Sequence, residues 1–299
     1  MKIKTLRNIL LAILFFSSSI LFAQKPDLKR QLESITKQID GISGVAIMDL
    51  ETKETLILNA DHKFPMLSSF KFPIAMAILD QVDKGKLALD QKYHLTKEDV
   101  QLKTYSPLRD KYPDGNVDLT IADLLSSMVS LSDNIACDIL FKLAGGTKPV
   151  QDYVHHLGVK DIAIVANEEQ MGKDWNVQYT NWCKPAAMLQ LLDIFYKGKN
   201  LSRSSQEFLS KTMIEGPTGM NRIKGQLPKD AIVAHKTGTS GKDEKGMMAA
   251  VNDVGIVKMP NGKSFAIVLF VSNSTAELKA IESVMAQVSK AAYDHYAAK

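Results

Sequence analysis

Three short segments carry side chains able to do nucleophilic chemistry together: Ser68-Ser69-Phe70-Lys71, Ser132-Asp133-Asn134 and Lys236-Thr237-Gly238. A serine hydroxyl attacks well only when a base lies within hydrogen-bond reach. Ser68 stands at the start of a helical run read over Phe70–Val82. Ser-x-x-Lys there puts both side chains one turn apart on one face, and a helix N-terminus favours negative charge beside the serine. Ser132 and Asn134, on a turn between helical stretches, can point a hydroxyl and an amide into a shared cleft. Lys236 continues a strand, and Gly238 lets a ligand approach that strand's backbone closely.

Each segment also has a plain structural reading: an N-capping serine with a solvated lysine, a helix cap and turn, and an edge-strand lysine. Ser34-Ile35-Thr36-Lys37 shows how cheaply Ser-x-x-Lys arises, since it lies on the first amphipathic helix with nothing to complete it. Ser68 differs in its company. Helix, turn and strand each supply one motif, in that order along the chain.

The elements around these residues follow from periodicity. Pro26–Asp40 reads as an amphipathic helix with Leu28, Leu32, Ile35 and Ile39 on one stripe, ended by Gly41. Gly44–Asp49 and Thr55–Asn59 read as strands around a polar turn. From Ser68 to about Lys211 the pattern is helical, with Pro185 opening one helix. Strands return at Ile232-Val233, Val251–Val257 and Phe265–Val271, the last two joined by the turn Pro260-Asn261-Gly262. A long helix carrying Leu278, Ile281, Met285, Val288 and Ala292 closes the chain. Both termini thus build one α/β lobe (24–66 plus 216–299) around a helical lobe (67–215).

Lys2, Lys4 and Arg7 precede an apolar run over Ile9–Phe22, too short to span a bilayer comfortably, and Leu21-Phe22-Ala23 offers a cleavage site. Residues 1–23 are read as a signal peptide, and the protein as exported, periplasmic or secreted. Removing those three cations takes the formal net charge from +4 to +1, so nothing in the mature chain calls for nucleic acid or an anionic surface. Cys137 follows the second motif on an apolar helical face, where a buried thiol is the commoner reading than a disulfide to Cys183. The histidines form no metal-binding pattern, and no metal or cofactor is expected.

With these residues in view, the trio resembles that of class A serine β-lactamases and penicillin-binding proteins. The likeness to class A covers nearly all of the chain past residue 23. Around Ala166-Asn167-Glu168-Glu169-Gln170-Met171 it is similar to the PER-like extended-spectrum branch. The resemblance implies an α/β (α+β) fold in which a lobe with a five-stranded antiparallel sheet packs against an all-helical lobe. It implies Ser68 as nucleophile, Lys71 as proton acceptor or relay, and Ser132 as proton donor to the departing lactam nitrogen. Glu168 activates the hydrolytic water, and either Lys71 or Glu168 is the acylation base. Lys236 supplies positive potential, Asn134 binds the substrate amide, and Tyr105 walls the cleft. Thr237 and Gly238 line the strand beside the substrate, and backbone N–H groups of Ser68 and Thr239 form the oxyanion hole. Arg222 matches an alternative position for the arginine that meets the substrate carboxylate, because Ala249-Ala250-Val251-Asn252-Asp253 holds none. The expected partners are small β-lactams, hydrolysed by a monomer with no stable membrane association.

Three departures from the family pattern concern the glutamate loop. Ala166 and Asn181 replace the usual salt bridge, Gly172 replaces a water-holding asparagine, and Asp138 stands where asparagine is usual. Asp138 is expected to hydrogen-bond Asn181, and Gln170 or backbone to help hold the water. Glu169 is the neighbouring alternative to Glu168. Both altered walls, with the long connection Ser240–Gly246, imply hydrolysis of oxyimino-cephalosporins beside penicillins. Two other readings share acylation without efficient turnover: a D-Ala-D-Ala carboxypeptidase or transpeptidase, and a non-catalytic penicillin-sensing module.

Overall fold

The computed structural model describes residues 27–298; the segment read as a signal peptide lies outside the described residues. Helix α1 (Leu28–Thr36) buries Leu28, Leu32 and Ile35 at helical spacing. It stops four residues before the sequence reading ends it. The carboxylate of Asp40 is drawn away to receive Ser274 Oγ, Thr275 Oγ1 and the backbone N–H groups of Thr275 and Ala276. Strands β1 (Ile42–Asp49) and β2 (Thr55–Leu58) form a hairpin. Short β3 (Phe64–Pro65) leads into a 3-10 turn, Leu67–Phe70, and helix α2 (Lys71–Asp83).

The middle of the chain is mostly helical but not wholly so. β4 (Lys92–Leu95) pairs with β5 (Val117–Thr120) across the short helix α3 (Pro107–Lys111). Four-residue strands give too little alternation to stand out in sequence. Helices α4 (Ile121–Ser130), α5 (Asn134–Leu143), α6 (Thr147–His156) and α7 (Glu168–Lys173) follow. β6 (Trp182–Cys183) then pairs with β3, before α8 (Pro185–Lys197) and α9 (Arg203–Glu215). β7 (Ile232–Thr239), β8 (Met248–Lys258) and β9 (Ser264–Ser274) precede the last helix, α10 (Leu278–Ala297).

The fold is α+β. Its five-stranded antiparallel sheet has the order β2-β1-β9-β8-β7. Strand alternation feeds two cores. Phe265, Ile267 and Leu269 pack with Leu32, Ile281 and Met285 of α1 and α10. Ala266, Val268 and Phe270, one residue out of phase, join the core of the helical block with Phe64, Phe70 and Leu189. Both faces of the central strands are therefore dry, and each fully buried Leu or Phe contributes about 1.5–3 kcal/mol. Cys137 and Cys183 are free and buried, and burial raises both thiols above the ordinary range.

Candidate active site

The nucleophile motif is wound into the 3-10 turn ahead of α2. Ser69 closes the turn on Met66 O through its backbone N–H (3.1 Å) and its hydroxyl (2.6 Å). Ser68 caps neither helical element, and Lys71 is fully buried, so the capping-serine and solvated-lysine reading does not hold. Lys71 Nζ donates to Ser68 Oγ (3.1 Å), Ser132 O (2.7 Å) and Asn134 Oδ1 (2.6 Å). Its three protons are then used. Glu168 Oε1, 2.8 Å away, makes an ion pair with it but no hydrogen bond. Ser34 and Lys37, by contrast, are exposed on and just after α1.

Asp133 holds the second motif in place. Its Oδ1 accepts the Ala136 N–H and caps α5. Its Oδ2 accepts Ser106 Oγ (2.8 Å) and the Leu108 N–H (2.6 Å). The helix-cap reading is thus right for Asp133, while its neighbours face the cleft. Ser132 sits at φ +61° and receives Lys236 Nζ on its hydroxyl at 2.9 Å. Asn134 Nδ2 donates to Thr104 Oγ1 at 2.7 Å, a cleft residue that the sequence reading missed. Tyr105 stands 59% exposed at the mouth.

Lys236 is buried on β7. Burial, and next the Lys71 ammonium, push its own ammonium well below the ordinary lysine range. Gly238 has a different neighbour from the one expected. An added Cβ would lie 2.5 Å from Met66 O and 2.9 Å from Ser69 N. The glycine therefore lets β7 approach the nucleophile's own turn, and a ligand is not needed to account for it. Thr237 Oγ1 donates to Thr218 Oγ1 at 3.0 Å.

Arg222 is only 5% exposed, so it is no surface arginine. It donates to Glu282 Oε1 (3.1 Å), Gly238 O (3.2 Å), Asn252 O (2.8 Å) and Thr239 Oγ1 (2.7 Å). Glu282 was not legible beforehand, because α10 follows in sequence only after three strands. Behind this arginine, Asp253 joins His235 Nδ1 (2.8 Å) and the Ile223 N–H (3.1 Å).

The glutamate loop is braced from two sides. Asn167 and Gln170 form a reciprocal cap on α7, in which Gln170 Oε1 accepts the Asn167 N–H. Asp138 receives the backbone N–H groups of Glu168 (2.8 Å) and Glu169 (2.9 Å). It does not bond Asn181, as the sequence reading expected. Asn181 instead receives Val165 N and Ala166 N and donates to Ala166 O and Met171 Sδ. Burial raises the Asp138 carboxyl to about 6 against the pull of those N–H donors. The two glutamates are separated by helix geometry: Glu168 turns inward to Lys71, and Glu169 pairs outward with Lys173 at 2.7 Å.

These groups line one cleft of about 470 Å³, with Ser68, Tyr105, Glu168, Gly172, Thr239 and Gly241 on its walls. That volume suits a drug-sized ligand. One wall can deliver a serine oxygen with two proton carriers behind it, Lys71 and Glu168. The facing wall can return a proton through Lys236 and Ser132. Such an arrangement can open and then hydrolyse an amide. Among the described residues, no group of three or more His, Cys, Asp or Glu could hold a metal ion.

Residues 27–296 match the β-lactamase enzyme family. The chain is 46% identical to β-lactamase VEB-1 of Pseudomonas aeruginosa, covering 98% of this chain and 99% of that protein. It is 41% identical to the extended-spectrum β-lactamase PER-1 of Pseudomonas aeruginosa, covering 95% and 92%. Among solved structures, the TLA-1 extended-spectrum β-lactamase superposes with a TM-score of 0.88 at 47% identity, over 90% of this chain and 98% of that one. A β-lactamase from Chitinophaga pinensis does so with the same score at 49% identity, over 90% and 99%.

Proposed function

The chain belongs to the β-lactamase enzyme family, and from that premise we propose how its cleft hydrolyses β-lactams through an acyl-enzyme on Ser68. The carrying observation is that one ammonium, Lys71 Nζ, lies within 3.1 Å of Ser68 Oγ and within 2.8 Å of Glu168 Oε1. Ser68 Oγ attacks the lactam carbonyl and gives its proton through water to Glu168, or to Lys71 once Lys71 has itself passed a proton to Glu168. Backbone N–H groups of Ser68 and Thr239 receive the oxyanion. The lactam C–N bond then breaks, and its nitrogen takes the Ser132 proton, which Lys236 replaces. The proton taken in acylation is then passed on, restoring Glu168 and Lys236. Glu168 next removes a proton from water, whose oxygen attacks the ester, and the departing Ser68 Oγ takes up that proton.

Asn134 and Tyr105 hold the acyl side chain, and Thr237 with Thr239 takes the substrate carboxylate, backed by Arg222. Extended-spectrum relatives support a substrate range that includes oxyimino-cephalosporins. We further read residues 24–66 with 216–299 and residues 67–215 as two lobes of an exported monomer cleaved after residue 23. No described helix is long and apolar enough to cross a membrane.

Intact-protein mass after a slow β-lactam tests the assignment. One adduct on the peptide containing Ser68 is expected, and an adduct on Ser34, or none, overturns it. Sustained nitrocefin turnover is expected, whereas a single stoichiometric burst would mark a carboxypeptidase or a sensing module.

A further inference from the structure

Asn252 is fully buried on β8 and plays no part in the mechanism above. Its side-chain Nδ2 donates to Pro65 O at 2.8 Å and to Met66 O at 2.9 Å. These are the two carbonyls that lead into the nucleophile turn. Its own backbone carbonyl accepts Arg222 Nη1 at 2.8 Å. In the ladder it is paired with Gly238. One residue therefore touches the segment before Ser68 and the arginine behind Thr239, and lies opposite the glycine between them.

That segment needs holding. Leu67 sits at φ +46°, a left-handed conformation that costs a non-glycine residue about 1–3 kcal/mol and persists only where its surroundings enforce it. The turn's own bonds, from Ser69 N and Oγ to Met66 O, close it internally. They do not fix it to the sheet. The fixing comes from the absent side chain of Gly238 and the amide of Asn252. Asn252 Oδ1 is buried and has no hydrogen-bond partner. A purely structural role would favour an apolar side chain here, since a buried unpaired acceptor costs about 1–3 kcal/mol. The residue is explained by its two donors.

We propose that Asn252 is a positioning residue, whose amide clasps the nucleophile turn to the sheet and so sets the spacing between the two oxyanion donors, Ser68 N and Thr239 N. One donor lies on the turn and the other ends β7, so neither element alone fixes the distance between them. The proposal rests on the acyl-enzyme reading of Ser68.

The test uses the Glu168→Ala protein, in which the benzylpenicillin adduct should persist, and reads the infrared stretch of its ester carbonyl. A well-formed oxyanion hole polarises that carbonyl and lowers its frequency. Adding Asn252→Leu, which keeps the branched side-chain shape and removes the donors, should raise the frequency. In the otherwise native enzyme the same change should lower kcat roughly ten- to hundredfold with little change in KM, since a displacement of about 1 Å can cost a hundredfold. Asn252→Ser should fall between, and serves if the leucine variant does not fold. Leu32→Ala, a cavity in the α1–α10 packing remote from the cleft, should lower Tm without moving the stretch. The clasp is overturned if both Asn252 variants lower Tm alone, with stretch and kcat unchanged. If neither the parent treated with a slow β-lactam nor the Glu168→Ala protein forms an adduct on Ser68, the Ser68 reading itself fails and takes this inference with it. If only the Glu168→Ala protein fails to acylate, the kcat comparison decides the clasp.

Discussion

Glu282, on the last helix, holds the guanidinium of Arg222 at 3.1 Å, with both side chains largely buried. The arginine's remaining contacts go to two backbone carbonyls and the Thr239 hydroxyl. Its charge reaches the cleft already partly compensated. The Thr239 hydroxyl accepts from Arg222 and, on the proposed reading, gives its own proton to the substrate carboxylate.

Arg222→Ala is accordingly expected to lower kcat/KM roughly ten- to hundredfold, because charge-assisted hydrogen bonds are worth about 1.5–3 kcal/mol. Thr239→Val should reproduce part of that loss, and the double variant should lose less than the sum. Strict additivity in steady-state kinetics would show that the two act separately on substrate.

Glu168→Ala is expected to accumulate acyl-enzyme visible by mass spectrometry, because it deletes the carboxylate that faces Lys71. Glu169→Ala removes an outward ion pair with Lys173, worth at most about 1 kcal/mol on an exposed helix, and should turn over normally. The reverse pattern would exchange their roles.

The sequence carried the sheet strands and the residues around Lys71, since long strands and motif spacing are local properties. It carried the glutamate loop poorly. Asp138 and Asn181 both brace that loop, yet each bonds backbone groups and not the other side chain. Backbone partners leave no residue-type signal. Gly238 was legible as a close approach but not as an approach to Met66 O, because the turn and β7 lie far apart in the chain. Glu282 was hidden for the same reason.

Asp138 gives a pH signature. Burial, and after the opposing N–H bonds the Glu168 charge, raise its carboxyl from 3.8 to about 6. A carboxyl raised in the folded state binds its proton more tightly there than in the unfolded chain. The contribution of Asp138 to stability should therefore grow as pH falls through 6 toward 4, by at most about 1.4 kcal/mol per unit inside that window. Asp138→Asn removes this contribution, so the parent should gain on the variant as pH falls. Denaturant unfolding of both proteins at several pH values measures the gap, and a pH-independent gap would exclude Asp138 as the titrating group.

Two glycines line the cleft on different elements. Gly172, on the glutamate loop, and Gly241, on the connection after β7, both line it, and a Cβ added at either would meet nothing within 4 Å. Neither has the positive φ that would bar a side chain. In the Ser240–Gly246 connection, the Asp243 carboxylate closes the turn by receiving the Lys245 and Met247 N–H groups. Space on both walls admits a bulky oxyimino acyl side chain. Removing a clash can change selectivity more than adding a contact, since selectivity is a difference between substrates. The parent enzyme is thus expected to hydrolyse cefotaxime or ceftazidime beside benzylpenicillin. Gly172→Val and Gly241→Val should each lower kcat/KM for the cephalosporin roughly tenfold or more while leaving benzylpenicillin within about threefold, the sort of loss that one or two kcal/mol of steric conflict produces. Equal losses on both substrates would mean that the glycines serve the loop's folding and not its reach. Negligible cephalosporin turnover by the parent would mean that the open walls do not set the range at all.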